Sequence, residues 1–415
     1  MLNTSIRYQD DQLWCDFIPV TEIVAQTGTP TYIYSLRRAH DNLERIRAAF
    51  AGLDAHIHYS AKANANLALL RSLIQAGTGI DTVSAGEIHR ALLAGAKAQT
   101  IVFAGVGKTR DEIRYALEIG VGWFNVENVD ECQHINDLAR DSGQSPVQIA
   151  LRLNPDVTAS THPYIATGHG GAKFGLTAET IHHLLARQAD YPHLDFAGIH
   201  VHIGSQLHDT AATRTAVEIA LELIAPYPAI RTVNIGGGLP VAYQPGHDIP
   251  PFESFAAALK PLLADYTVLL EPGRSIIADA GILVTRVLYV KKQAGQTFLI
   301  TDSSMAELIR PALYQAHHEI VPVVRSNEAA PQPVNIVGPV CETTDVLGRD
   351  IPLPPVQSGD LLAILTAGAY GMVMASNYNA RPRPPEIVVA EDGKSWQIAR
   401  QRETWDDMLR GEPTP

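Results

Sequence analysis

Cysteine is scarce in this 415-residue chain: Cys15, Cys132 and Cys341 are its only three. They are far apart, odd in number and without metal-ligand spacing, which argues against a disulfide framework and a structural zinc site. Basic clusters are missing as well. The 32 Lys and Arg are scattered among 44 Asp and Glu, for a formal net charge of -12. Nucleic acid and anionic membranes recruit partners through clustered positive charge, so neither is expected to bind here. No apolar run approaches the roughly 18 residues that a membrane helix needs. The opening MLNTSIRYQDDQLWCDF is polar and acidic where a secretion signal is basic and then apolar. A cytoplasmic protein is the expectation. Internal repeats and low-complexity segments are lacking too.

What is present is ample core material, 46% hydrophobic against 18% charged residues. The length suits two or three ordinary domains, or a barrel of about 250 residues with a smaller partner. From about residue 30 to 275 one pattern repeats: a short β-rich apolar run, a polar or glycine-containing loop, then an amphipathic stretch. The runs are HIHYS (56–60), IDTVS (80–84), IVFAG (101–105), WFNVE (123–127), VQIALRLN (147–154), FAGIHVHIG (196–204), TVNIGGG (232–238) and TVLLEPG (267–273). Between them NLALLRSLIQAG, AGEIHRALLAGA and TAVEIALELIA carry apolar residues at three- and four-residue intervals. Eight strands alternating with helices predict an α/β fold of the (β/α)8 TIM-barrel type over 31–278.

After Gly273 the texture changes. ILVTRVLYVKKQ, QTFLITDSS, PVNIVG and DLLAILTAG are β-like and separated by proline-rich connectors. They predict a mainly antiparallel β-sandwich or barrel domain over 279–415, with strands from about residues 1–30, in the short runs LWCDFI and TPTYIY, joining it. MAELIRPALYQAHH is the one stretch there with a helical period.

Barrel active sites lie at the C-terminal ends of the strands. Lys62 follows HIHYS by one residue, in YSAKAN, where desolvation would lower its pKa toward a nucleophilic amine able to condense with a carbonyl such as the pyridoxal aldehyde. Gly236, Gly237 and Gly238 end the seventh run and free several backbone N–H groups for one anion. A helix starting after them would add its dipole. Glu271 ends the eighth run, and a carboxylate there would keep a pyridine nitrogen protonated, making the ring an electron sink. Arg274 could fork onto a carboxylate or phosphate. His200 and His202 share one strand face. A metal reading of that pair wants a carboxylate or third histidine at another strand end and finds no obvious one, so no metal is expected; a metal-dependent barrel hydrolase remains the alternative.

The motifs YSAKAN, DTVSAGE, LRLNPDV, THPYIATG, KFG, HVHIGSQ, NIGGGLP, EPGRSI, MAELIRPALYQAHH, VGPVCETTD and AGAYGMVMASNYNARP run in order along nearly the whole chain. In that order and spacing the chain resembles the barrel-type pyridoxal-phosphate-dependent decarboxylases, the diaminopimelate decarboxylases among them. The resemblance implies that Lys62 holds pyridoxal 5'-phosphate covalently, that His202 stacks on its ring and that Glu271 meets its pyridine nitrogen. It assigns Ser205, Gly237, Gly238, Gly273 and Tyr370 to the phosphate, and Arg274, Arg310, Tyr314, Glu342 and Tyr370 to the substrate. Cys341 becomes the proton donor, a role a thiol can fill because it retains its proton at neutral pH. The reaction implied is decarboxylation of meso-2,6-diaminopimelate to L-lysine and CO2, in a homodimer whose CETTD segments serve the partner's barrel.

Diaminopimelate has a distal carboxylate that lysine and ornithine lack. Arg310 and Tyr314, spaced i and i+4, would fall on one helix face and with Arg274 could grip it. The alternatives are a decarboxylase of a related amino acid (lysine, ornithine, a D-amino acid or a carrier-bound acyl group) and a non-catalytic decarboxylase-like regulator. The latter is disfavoured because Lys62 and Cys341 are both present.

Overall fold

The alternation of apolar runs and amphipathic helices produces the expected barrel. In the computed structural model, which describes residues 1–143, 145–157, 167–168, 171–326 and 330–413, eight parallel strands close on themselves in chain order. They are β1 (Asp54–Ser60), β2 (Gly79–Thr82), β3 (Ile101–Phe103), β4 (Trp123–Val126), β5 (Val147–Leu153), β6 (Leu194–Val201), β7 (Thr232–Asn234) and β8 (Thr267–Leu270). Of the THPYIATG motif only Thr167 and Gly168 are described; 161–166 lie outside the described residues.

Register decides which side chains gather at the C-terminal rim. Ser60 pairs with Asp81 across β1 and β2, and Ile57 with Leu270 across β1 and β8. His58 and Ser60 therefore share a face with Asp81, and Glu271, one residue past β8, falls beside His58. Several outer helices start at side-chain caps. Asn66 Oδ1 accepts the Ala68 amide before Leu67–Gln75, and Ser84 Oγ accepts that of Glu87 before Ala85–Leu93. Thr109 and Glu112 form a reciprocal capping box on Arg110–Glu118. Each such cap stabilises by about 1 kcal/mol.

The second unit is built around the 13-residue strand Gly281–Gln293, which pairs antiparallel with Thr31–Ser35, Gln296–Thr301 and Leu361–Ile364. Nine strands form this sheet, and most pairs are antiparallel. Its core includes Ile33, Ile282, Val284, Ala363, Leu365, Ile387 and Val389. The short strands Ile6–Gln9, Gln12–Cys15 and Ile18–Pro19 form a separate three-stranded sheet whose Ile6, Leu13, Cys15 and Ile18 join the same core.

The chain divides into a β unit, Met1–Asn42, Ala242–Asp248 and Ile276–Pro415, and a barrel unit, Leu43–Val241 and Ile249–Ser275. These bounds differ from the expected 31 and 278. Thr31–Ser35 lies between Gly281–Gln293 and Glu386–Val389 and so belongs to the β sheet. The helix predicted across MAELIRPALYQAHH is also shorter, only Arg310–Tyr314. Ser304 instead donates its amide and hydroxyl to Glu307 Oε2, while Gln315 turns left-handed at φ 52° and stops the helix.

Gly79 is a packing requirement of the barrel. A Cβ there would overlap the His58 ring and come within 2.6 Å of the Thr100 carbonyl oxygen. Gly79→Ala is expected to destabilise by about 1–3 kcal/mol, measured as a lower urea midpoint; an unchanged midpoint would contradict it.

Candidate active site

Lys62 sits in the 3-10 turn Ala61–Ala63 that follows β1, with its Nζ 3.2 Å from Asp81 Oδ2. The Asp81 side chain is fully buried and also accepts the Ser60 hydroxyl. Burial and the neighbouring Glu271 charge raise the Asp81 carboxyl above the usual range, against the pull of Lys62. The Lys62 side chain keeps 37% of its surface exposed, so the amine lies at an accessible mouth and not in the packed interior.

Glu271 is buried, and its partners come from three other strands. Asn125 on β4 and Asn234 on β7 donate to Oε1 at 3.0 and 2.6 Å, and His200 Nε2 on β6 lies 3.5 Å from Oε2. Burial opposes ionisation, yet the nearby His200 and Lys62 side chains and the Asn234 amide outweigh it and hold the carboxyl well below the ordinary range. A hydrogen bond to a charged group contributes about 1.5–3 kcal/mol, and the two asparagine amides supply two of them against desolvation. Arg274 does not pair with Glu271; its Nε donates to Ser205 Oγ at 3.1 Å.

The glycines bring backbone against this cluster. A Cβ on Gly237 would stand 2.5 Å from the Glu271 carbonyl oxygen, and one on Gly236 2.6 Å from His202 Nδ1. Gly238 has φ +94°, and a Cβ on Gly273 would meet the Ser60 and Ala63 Cβ atoms at 2.9 Å. One expectation fails here. No helix begins at the triplet, because the next one is Phe252–Leu263 behind Pro251, so no helix dipole reaches an anion at this loop. The Gly237 amide donates to His202 Nδ1 at 3.2 Å, which places the imidazole proton on Nε2. Burial, with Arg152 and Lys62 adding, keeps His202 neutral, well below its usual pKa.

Residues 36–278 match the family described as pyridoxal-dependent decarboxylase, pyridoxal binding domain. The chain belongs to this decarboxylase family. It is 42% identical to the diaminopimelate decarboxylase of Pseudomonas aeruginosa, covering 98% of each chain. Among solved structures it is similar to the M. jannaschii diaminopimelate decarboxylase in co-complex with L-lysine, with a TM-score of 0.92, 35% identity and coverage of 100% and 99%. The Helicobacter pylori enzyme complexed with L-lysine gives 0.88 at 37% identity, with coverage of 94% and 98%.

Of the residues assigned by resemblance to this decarboxylase family, Lys62, His202, Ser205, Gly237, Gly238, Glu271, Gly273 and Arg274 lie in the barrel unit, at or just past the strand ends. Arg310, Tyr314, Cys341, Glu342 and Tyr370 lie in the β unit. There the exposed Cys341 donates its amide to Asn379 Oδ1 at 3.2 Å. Glu342 accepts the Tyr378 hydroxyl at 2.6 Å and that of Thr344 at 2.9 Å, which lower its carboxyl pKa. Tyr370 takes a left-handed backbone, φ 56°, and Arg310 is buried.

Asp81, Asn125, Asn234 and the contact of His200 with Glu271 were missed from sequence. Their signal is a polar residue at the end of an apolar run, in IDT, WFNV, TVN and GIHV; pattern marks the anomaly without pairing the strands. The carboxylate wanting beside His200 is Glu271 itself.

His58 lies beneath this cluster. Burial pushes its imidazole down to about 4, with Glu271 opposing the shift. Folded His58 is thus neutral where the unfolded residue, at about 6.5, takes up a proton. Its contribution is complete above pH 6.5 and falls by about 3 kcal/mol as pH drops to 4. His58→Gln is expected to flatten that part of the stability curve, seen in urea midpoints at pH 7 and 4.5; parallel curves would contradict it.

Proposed function

We propose that this chain is a carboxy-lyase that converts meso-2,6-diaminopimelate to L-lysine and CO2 with pyridoxal 5'-phosphate held on Lys62. The observation that carries this reading is the buried carboxylate of Glu271, kept anionic by Asn125, Asn234 and His200 in the same barrel mouth as an accessible lysine. The residues fit the cofactor. A lysine amine suits an aldehyde, a buried anion suits a pyridinium, and a glycine cradle that any Cβ would fill suits a phosphate. When bound, the cofactor would supply an electron-accepting ring for the electron pair left on the substrate carbon when CO2 departs.

The chain's own residues do the rest. Asp81 holds the Lys62 amine at 3.2 Å and orients it. Glu271, anionic before anything binds, would keep a proton on the ring nitrogen. The neutral His202 can lie against an aromatic face at lower desolvation cost than an imidazolium. Ser205 and the amides of Gly237, Gly238 and Gly273 would hold the phosphate together with Tyr370, and Gly237 would exchange His202 for it. Arg274 is held by Ser205 for an anionic group. Arg310, Tyr314, Glu342 and Tyr370 would bind the end of the substrate that does not react. Cys341 would deliver its thiol proton to the carbon that loses CO2.

The lysine-bound relatives support this substrate, since L-lysine is the product of the proposed reaction. The proposal extends to a two-fold homodimer that exchanges CETTD segments, working in the cytoplasm. Among the described residues no helix is long and apolar enough to cross a membrane.

Borohydride is expected to fix the cofactor on Lys62 in the wild type and to leave none fixed in Lys62→Ala, read by peptide mass; labelling at another lysine would refute the assignment. Cys341→Ala is expected to lower kcat by about 10²–10⁴ while the cofactor absorbance stays. CO2 release from meso-diaminopimelate, lysine and ornithine should favour the first, and equal rates would sink the substrate assignment.

A further inference from the structure

Arg310 occupies a built enclosure within the β unit. Its Nη1 lies 3.0 Å from His318 Nε2, and its guanidinium carbon 4.7 Å from the centre of the Tyr243 ring. His318 Nδ1 is 2.9 Å from the Leu365 carbonyl oxygen, which can only accept. The Nδ1 proton is therefore engaged there, and Nε2 presents a lone pair to the arginine. Tyr243 meets His318 edge-on, with 5.3 Å between ring centres. Both Arg310 and His318 are buried, and burial with the adjacent Arg310 charge holds the imidazole neutral. Tyr243 comes from Ala242–Asp248, a short excursion of the chain that groups with the β unit.

We propose that His318 and Tyr243 are positioning residues for substrate specificity, orienting the Arg310 guanidinium toward an anionic substrate group. This rests on the reading above that Arg310 meets the carboxylate of the non-reacting end. The choice of partner matters physically. A carboxylate at His318 would orient the guanidinium but cancel the charge the substrate needs. A neutral imidazole orients the fork without adding a negative charge beside it, and the face of Tyr243 steadies it without competing for N–H donors. His318 reaches Arg310 from eight residues on, across the left-handed Gln315, so the early end of the helix is what lets the chain double back.

The test is steady-state kinetics on the cofactor-loaded enzyme with meso-diaminopimelate, comparing Arg310→Lys, His318→Phe, His318→Gln and Tyr243→Leu, each with a thermal midpoint. Removing a hydrogen bond to a charged group is expected to raise KM about tenfold in His318→Phe, with kcat within about threefold of wild type. His318→Gln, which can still offer a neutral acceptor, should recover most of that KM, and Tyr243→Leu should raise KM with little change in kcat. If Arg310→Lys leaves KM unchanged, the substrate reading itself fails. If Arg310→Lys raises KM while His318→Phe does not, the positioning role alone is overturned. Equal losses of kcat and thermal midpoint in the Phe and Gln variants would mark a purely structural histidine and also overturn it.

Discussion

A carboxylate that stays ionised with almost no access to water is the constraint around which the barrel mouth is organised. Glu271 bears the desolvation cost of burial, and neighbours from β4, β6 and β7 more than offset it. None of the three can do so unless the barrel closes, because each sits on a different strand. Closure, register and electrostatics are thus one requirement here. Asp81, a few residues along β2 from solvent, illustrates the converse: buried beside the same negative charge, its carboxyl is raised, and it depends on Lys62 and Ser60 for partners.

Two interacting carboxylates at the strand ends with opposite shifts suit chemistry in which an amine must be held while a ring must stay cationic. The glycine segment serves the same end by removing side chains where backbone must approach His202 and the Glu271 carbonyl. In the β unit two of the side chains assigned to substrate have neutral neighbours: Arg310 has His318 and Tyr243, and Glu342 has Tyr378 and Thr344. A neutral partner sets direction without cancelling charge.

Much of this was legible in the sequence, and for identifiable reasons. Period-two runs such as HIHYS and GIHV mark strands, and three- and four-residue apolar spacing marks the helices between them, because these are local properties of the backbone. Lys62 and Glu271 stood out as charges at the ends of apolar runs. The helix expected after Met305 was overextended because its apolar period continues through Met305–Ile309, whereas the Ser304–Glu307 bonds that replace it are a local alternative that periodicity does not register. The helix expected after the glycine triplet failed on the distance to Phe252.

Sequence by itself determined that there are two architectures, roughly where the eight barrel strands lie, and which amine, acid and glycines stand at strand ends, since spacing and residue type suffice for that. Only the tertiary structure decided that Glu271 meets Asn125, Asn234 and His200 in place of Arg274, and that His318 faces Arg310. The first set joins residues distant in the chain and the second depends on a turn at Gln315, and the free energy of both depends on register and burial, quantities that exist only once the chain has closed on itself.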